Sequence, residues 1–336
     1  MTVTSKDIAK ELGVSQSTVS RALRGDQRVA AATLQRVLEA AQRRNYTPNL
    51  AARSLITRRT RTVGVVVSDI TNPFYPELLD ILHNEFALAN YRTILLNERT
   101  DARLEQHVTE LVNGGATDGL VYVSAVLGAP LPGPGSSVRP VVLLNRETST
   151  PTTDAVVSDN IGGGRAVAEA IVNHGHRRIA LIAGPENTST TRDRELGFTE
   201  QLRASGTPLD PRWRRVGQYS HASGYQWCLD LLATDPRPTA IFAANDVIAF
   251  GALDAARRLG VRVPEELSIV GFDDIDMAGW EAFNLTTARQ PLAEMARAAA
   301  RLLLDRIASE QPVAPQRRVF PVELVHRSTL GAAPTE

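Results

Sequence analysis

Residues 13–25 read Gly13-Val14-Ser15-Gln16-Ser17-Thr18-Val19-Ser20-Arg21-Ala22-Leu23-Arg24-Gly25, GVSQSTVSRALRG. Gly13 lacks a Cβ and permits a tight turn. Ser15 is a good N-cap. The helix that follows, read as 16–24, sets Val19, Ala22 and Leu23 inward and leaves Gln16, Ser17, Ser20 and Arg21 outward. So narrow an apolar stripe cannot hold a helix alone, because short isolated helices are marginal in water. Its supports lie on either side. Upstream, Thr4 with Asp7 three residues later resembles a capping box, Asp replacing the usual Glu or Gln, and Ile8, Ala9 and Leu12 share one face. Downstream, Leu34, Val37, Leu38 and Ala41 form a third stripe. The pattern predicts an all-α helix-turn-helix domain over 1–48, with the outer face of its second helix left free.

A helix-turn-helix lays its second helix in the major groove. Gln suits adenine and Arg suits the O6/N7 edge of guanine, through paired hydrogen bonds. Ser15 and Thr18 are small donors that suit phosphate oxygens. Charge agrees. Residues 1–61 hold 12 Lys/Arg and 4 Asp/Glu, while the other 275 residues hold 25 and 33. A head of +8 on a body of −8 points to a polyanionic partner for the head.

Residues 49–61 read as hinge helix and linker. Pro48 ends the third helix, Asn49 can cap a short new one, and Ala51, Ala52 and Leu55 favour it. Arg58, Arg59 and Arg61 then form a basic run.

From residue 62 the pattern changes. TVGVVVSD (62–69), TDGLVYVS (117–124) and RPVVLLNR (139–146) form one set of apolar runs. RRIALIAG (177–184), TAIFAAND (239–246) and LSIVGFDD (267–274) form another. Such runs suit parallel strands buried on both faces, and their alternation with helical periods predicts two α/β lobes. Ligands of two-lobed α/β folds bind between lobes, at the C-terminal ends of strands. Asn72 and Phe74 are expected in the loop after 62–69. Asn145 and Arg146 end 139–146, Asn245 and Asp246 end 239–246, and Asp273 and Asp274 end 267–274. Asp246 reads as a helix cap.

The resemblance becomes specific in VTSKDIAKELGVSQSTVSRALRG and YTPNLAARSL. It continues through SDITNPFY (68–75), VSDNIGGGRAVAEAIVNHGHRRIALIAGP (157–185), RDRELGF (192–198), IFAANDVIAFGAL (241–253), SIVGFDDIDMAGW (268–280) and LTTARQP (285–291). Nearly the whole chain is similar, in order, to the LacI/GalR (lactose-repressor) family. The resemblance implies a homodimer on a near-palindromic double-stranded DNA operator. It also implies a periplasmic-binding-protein-like body over 62–336 that senses a small molecule. The N-lobe is expected over about 62–160 and 289–319, and the C-lobe over about 161–288 and 320–332.

By position, the resemblance makes Gln16, Ser17 and Arg21 base readers and Leu55 a minor-groove wedge. With Thr4, Ser15, Thr18 and Asn49 they form the expected DNA-facing set. Family positions add Arg194, Tyr219 and Gln290 to Asn72, Phe74, Arg146, Asn245 and Asp273 as effector contacts. Asn145 departs from the Asp often found beside that Arg in sugar-responsive relatives.

A hydroxyl can donate to Asp273 while accepting from Arg194, and Phe74 or Tyr219 can stack on a ring. The expected effector is therefore a neutral sugar, with a purine- or protein-co-regulated member of the family as the alternative. A sugar-processing enzyme with a DNA-binding head is the other class. It is disfavoured because there is no GxSxG elbow, no metal-ligand spacing and no P-loop, the glycines at 162–164 lacking the GK[ST] that follows one. No cofactor, metal or membrane is expected. The single cysteine, Cys228, and a polar start without an apolar signal segment favour the cytoplasm over an exported binding protein. The tail GAAPTE carries no leucine heptad for assembly beyond a dimer.

Overall fold

The computed structural model describes residues 3–23, 26, 28–46, 59–98, 115–128, 139–150, 152–309 and 313–335. The chain divides into two compact units, Met1–Thr60 and Arg61–Glu336. Asn49 and Leu55, with most of the expected hinge, lie outside the described residues.

The first unit holds α1 (Ser5–Leu12), α2 (Gln16–Ala22) and α3 (Ala31–Arg43). At the start of α1 the Asp7 carboxylate accepts from both the N–H and the hydroxyl of Thr4, at 2.8 and 2.7 Å. These bonds hold the Asp7 carboxyl below its ordinary range. Gly13 turns the chain at φ 67°. Ser15 caps α2 by accepting the Thr18 N–H at 3.1 Å. Ile8, Val19, Ala22, Val37 and Ala40 form the buried centre, with Leu12, Leu23 and Leu34 packed on it. Leu38 corrects the sequence reading, being 46% exposed. It sits about 100° round the helix from Val37, and Ala40 and Ala41 take the inward face instead.

The second unit contains two six-stranded sheets. Its strands are β1 (Thr62–Val67), β2 (Arg92–Asn97), β3 (Gly119–Tyr122), β4 (Val141–Leu144), β5 (Asp154–Ser158), β6 (Ile179–Ala183), β7 (Arg214–Val216), β8 (Ala240–Ala243), β9 (Ser268–Asp273), β10 (Thr286–Arg289), β11 (Arg317–Phe320) and β12 (Glu323–Val325). The first sheet runs β11-β5-β4-β3-β1-β2 and the second β12-β10-β9-β8-β6-β7. All pairs are parallel except β10–β12. The six apolar runs read from the sequence are β1, β3, β4, β6, β8 and β9. The first five are wholly or almost wholly buried, as is β9, which suits parallel strands covered on both faces.

Helix α4 (Phe74–Leu88) and a late helix (Leu292–Ala308) pack together over the first sheet. The second sheet is covered by α5 (Asn160–Asn173) with α6 (Ser189–Ala204), and by α7 (His221–Leu232) with α8 (Asp246–Arg258). The late helix is α9. The chain passes between the sheets three times, at 158–160, 289–292 and 320–323. The crossovers are bonded side to side. The Asp159 N–H donates to the Phe320 carbonyl at 2.7 Å. The Ser158 hydroxyl donates to Gln290 Oε1 at 2.7 Å.

The glycines at 162–164 have a packing role. A Cβ on Gly164 would collide with the Arg194 carbonyl, and one on Gly197 with the Ile161 carbonyl. Helices α5 and α6 therefore touch backbone to backbone, and the contact fixes where Arg194 leaves α6. Phe272 fills the space against Gly163. Gly197→Ala should destabilise the protein by about 1–3 kcal/mol through overpacking. Chemical unfolding measures this, and an unchanged midpoint would mean that the helices part without cost.

Candidate functional site

The cavity of the second unit opens where the carboxyl ends of strands from both sheets meet. It is lined by Asn72, Phe74, Tyr75, Asn145, Arg146, Thr190, Arg194, Tyr219, Asn245 and Asp273. Seven of the eight residues expected to touch effector lie on this wall. The eighth, Gln290, stands behind it, donating to Asp273 Oδ1 at 2.7 Å. Phe74 is the first residue of α4 rather than a loop residue, because the Asn72 side chain accepts its N–H at 3.1 Å and starts the helix there.

Arg194 organises the second sheet's side of the cavity. Its Nε donates to Asn160 Oδ1 at 2.8 Å, one terminal nitrogen to the Ala244 carbonyl at 2.6 Å, and the other to Asp273 Oδ1 at 2.9 Å. The guanidinium lies 3.8 Å from the Phe272 ring centroid. Both Arg194 and Asp273 are buried. They neutralise one another, so a ligand hydroxyl would meet a paired guanidinium and carboxylate rather than two separate charges. Burial pushes the Asp273 carboxyl up, while Arg194, Gln290 and Arg146 pull it back.

Asp273 and Asp274 have φ values of 116° and 56°, a strained pair of non-glycine residues. Three attachments hold the turn. Arg194 takes Asp273, while Arg289 and Arg327 lie 2.6 and 2.7 Å from Asp274. Asp246 accepts the Ile275 N–H at 3.0 Å and the Thr287 hydroxyl at 2.5 Å. Asp246 is thus a brace for this turn rather than a helix cap. Asn245 caps α8 instead, accepting the Ile248 N–H at 3.0 Å. Burial, helped by the charge of Asp273, raises the Asp246 carboxyl well above the ordinary carboxylate range. The bonds accepted from Thr287 and Ile275 work against that rise.

The wall of the first sheet is less satisfied. Asn145 sits at φ 70° with its Oδ1 buried and unpartnered among the described residues. The Nε of Arg146 is likewise buried without a partner, and its guanidinium lies 5.5 Å from the Tyr219 ring centroid. Tyr219 is held through its hydroxyl by Thr190 and Thr191, at 3.1 and 2.8 Å. Tyr75 and Thr190 were not anticipated; they lie in the first turns of α4 and α6, well beyond the ends of β1 and β6. Asn160, the partner of Arg194, was missed although it follows β5 closely, because β5 was not among the strands read from the sequence.

In the first unit Ser15, Gln16, Ser17 and Arg21 are exposed, as is Thr4, and Thr18 is half-buried. The Ser15 hydroxyl bonds those of Ser17 and Thr18, each at 2.8 Å. Arg21 donates to the Ser17 hydroxyl at 3.3 Å, and Gln16 Nε2 to Ser5 at 3.0 Å. Gln16, Ser17 and Arg21 thus stand together on the outer face of α2. Among the described residues, no group of His, Cys, Asp and Glu could hold a metal ion, and no helix is long and apolar enough to cross a membrane.

A helix-turn-helix unit and a two-lobed α/β unit with an internal polar cavity define a ligand-sensing transcription regulator. The profile of bacterial regulatory proteins of the lacI family matches residues 4–49, and that of the periplasmic binding protein-like domain matches residues 168–330. The chain is 31% identical over 334 residues to the HTH-type transcriptional repressor PurR of Aliivibrio fischeri (strain ATCC 700601 / ES114), covering 98% of each. The structure of the transcriptional regulator CelR–cellobiose complex is 32% identical, with a TM-score of 0.74 over 97% of this chain and 99% of that one. The lac repressor dimer bound to operator and the anti-inducer ONPF is 27% identical, with a TM-score of 0.87 over 99% and 100%. The chain belongs to the LacI family. It is a DNA-binding transcriptional regulator with an effector-binding body.

Two consequences of this geometry can be measured. Arg194→Met leaves Asp273 buried without its cation and should cost about 3–5 kcal/mol of stability, read from denaturant unfolding. Asp246→Asn should preserve the fold. The folded protein holds the Asp246 proton more tightly than the unfolded chain does. Its contribution to stability is therefore full below the ordinary carboxylate range and declines as pH rises toward the raised folded value. The stability of wild type relative to Asp246→Asn should fall over that window. A pH-independent difference would show that Asp246 titrates normally.

Proposed function

We propose that the protein represses transcription as a homodimer. Each α2 reads one half of a near-palindromic operator, and a sugar bound in the cavity sets the affinity for DNA. Gln16, Ser17 and Arg21 are assigned to base edges. Thr4, Ser15, Thr18 and Asn49 are assigned to the phosphate backbone, and Leu55 to the minor groove at the operator centre. Asn72, Phe74, Arg146, Arg194, Tyr219, Asn245 and Asp273 form the effector site, with Gln290 supporting Asp273. The cytoplasm is the place of action, and no catalytic step is assigned.

One observation carries the reading. A helix whose outer face is exposed Gln, Ser and Arg shares a chain with a cavity where the buried Asn145 Oδ1 and Arg146 Nε have no hydrogen-bond partner among the described residues. The dimer is supported by apolar side chains at the surface of the second unit. Leu88 is 81% exposed, Leu259 51% and Trp280 50%. The dimeric lac repressor relative agrees. The sugar is supported by the dense polar wall and by the CelR–cellobiose relative. A purine is the second reading, favoured by the PurR relatives and by Phe74 and Tyr219, which could flank a base.

Arg21→Ala should weaken binding to an operator selected from random-sequence DNA by about 1–3 kcal/mol while changing non-specific binding far less. Equal losses on both would reduce Arg21 to a phosphate contact. Residues 62–336 alone should sediment as a dimer and bind effector without binding DNA. A monomer at micromolar concentration would remove the dimer interface from the body.

A further inference from the structure

The cavity wall carries two guanidinium groups and one carboxylate. The carboxylate, Asp273, is bonded to Arg194. Arg146 is left over. It is 7% exposed, its Nε is buried without a hydrogen-bond partner among the described residues, and its nearest favourable charge is the already paired Asp273, whose carboxyl it helps to pull down. The nearest carboxylate in sequence, Glu147, is engaged elsewhere. It accepts from Arg317 at 2.8 and 3.2 Å and lies 3.8 Å from Arg192. The neighbouring Asn145 is also buried, has an unpartnered Oδ1, and brings no charge. The Tyr219 ring, 5.5 Å away, gives a cation–π contact only. Two buried guanidinium groups that share one carboxylate leave a net positive charge, which is costly, and proteins pair such groups wherever a partner can be had.

Resting on the sugar reading above, we propose that the effector is an acidic sugar. It carries one negative group, a carboxylate or a phosphate, which Arg146 binds in the cavity. Arg146 then gains charge-assisted hydrogen bonds, which are shorter and stronger than neutral ones. The Asn145 Oδ1 accepts from a ligand hydroxyl beside that group. Asn245 offers its amide N–H₂, because its oxygen is already used on Ile248. The Arg194–Asp273 pair, neutral as a unit, serves the remaining hydroxyls.

The test is calorimetry on the full chain with matched sugars: glucose, glucuronate and glucose 6-phosphate; galactose and galacturonate; ribose and ribose 5-phosphate. Hypoxanthine and guanine are added to the panel. The expected result is an acidic member that binds at least about tenfold tighter than its neutral counterpart, the scale of one charge-assisted contact. The carboxylate and phosphate arms tell the two negative groups apart. Arg146→Gln should erase that ratio. Asn145→Asp, which supplies the absent carboxylate at the same backbone position, should reverse it toward the neutral sugar. A neutral sugar that binds wild type as well as or better than its acid overturns the proposal and leaves the sugar reading standing. So does an acid preference that survives in Arg146→Gln. A response to nucleobases alone, or to nothing in the panel, overturns the sugar reading itself.

Discussion

The second unit is arranged around one buried cation. Arg194 leaves α6 at a place where two helices meet backbone to backbone, and it reaches three elements at once. It ties Asn160 on a crossover, the Ala244 carbonyl at the end of β8, and Asp273 at the end of β9. The Phe272 ring covers its face. Such an arrangement suits arginine alone among the cations, because a planar fork can bond in several fixed directions while stacking. The glycines of α5, the strained turn at Asp273 and Asp274, and the bonds of Asp246 to Ile275 and Thr287 all serve to place or brace this group. The crossover contact from Gln290 to Asp273 extends the same network to the segments that join the lobes.

Much of this was legible in the chain. The head declared itself through capping residues and a turn glycine, which act locally, so Thr4, Gly13 and Ser15 could be placed from their neighbours in sequence. The buried strands declared themselves as apolar runs, and the strand-end rule gathered Asn72, Phe74, Asn145, Arg146, Asn245 and Asp273 from distant parts of the chain, while Arg194 and Tyr219 came from the family resemblance alone. What escaped was of a different kind. Strands β7 and β12 are three residues long, and β2 and β11 are sheet edges with exposed residues, so none carries a continuous apolar run; β5 and β10 are buried but are broken by polar Asp154, Ser158, Thr286 and Thr287. Leu38 was misplaced because an inward face narrow enough for alanine leaves room for one leucine outside.

The charge state of the cavity was the larger miss. Taken as separate residues, Arg194 and Asp273 look like two open contacts for a neutral ligand. Their pairing depends on a 2.9 Å approach between residues 79 positions apart, which no spacing rule reports. Once they are paired, Arg146 changes from one polar contact among several to the unbalanced charge of the site. Asp246 shows the same effect. As a residue after a strand it reads as a cap, but the adjacent Asn245 takes that duty and leaves Asp246 to face inward.

The threefold passage between lobes has a consequence for how the chain is made. The first sheet is not complete until β11 joins β5, and α4 is not covered until α9 packs on it. Both late elements come after nearly the whole second lobe has been synthesised. A chain emerging from the ribosome therefore finishes its helix-turn-helix within the first fifth of translation, whereas the sensor lacks a sheet edge and a covering helix almost to the end. A product truncated before residue 317 would keep the DNA-reading helix but have an open edge at β5, where an unpaired strand invites aggregation and proteolysis. Topology thus links the survival of the reader to completion of the sensor, and an unregulated fragment would tend to be removed before it could occupy DNA.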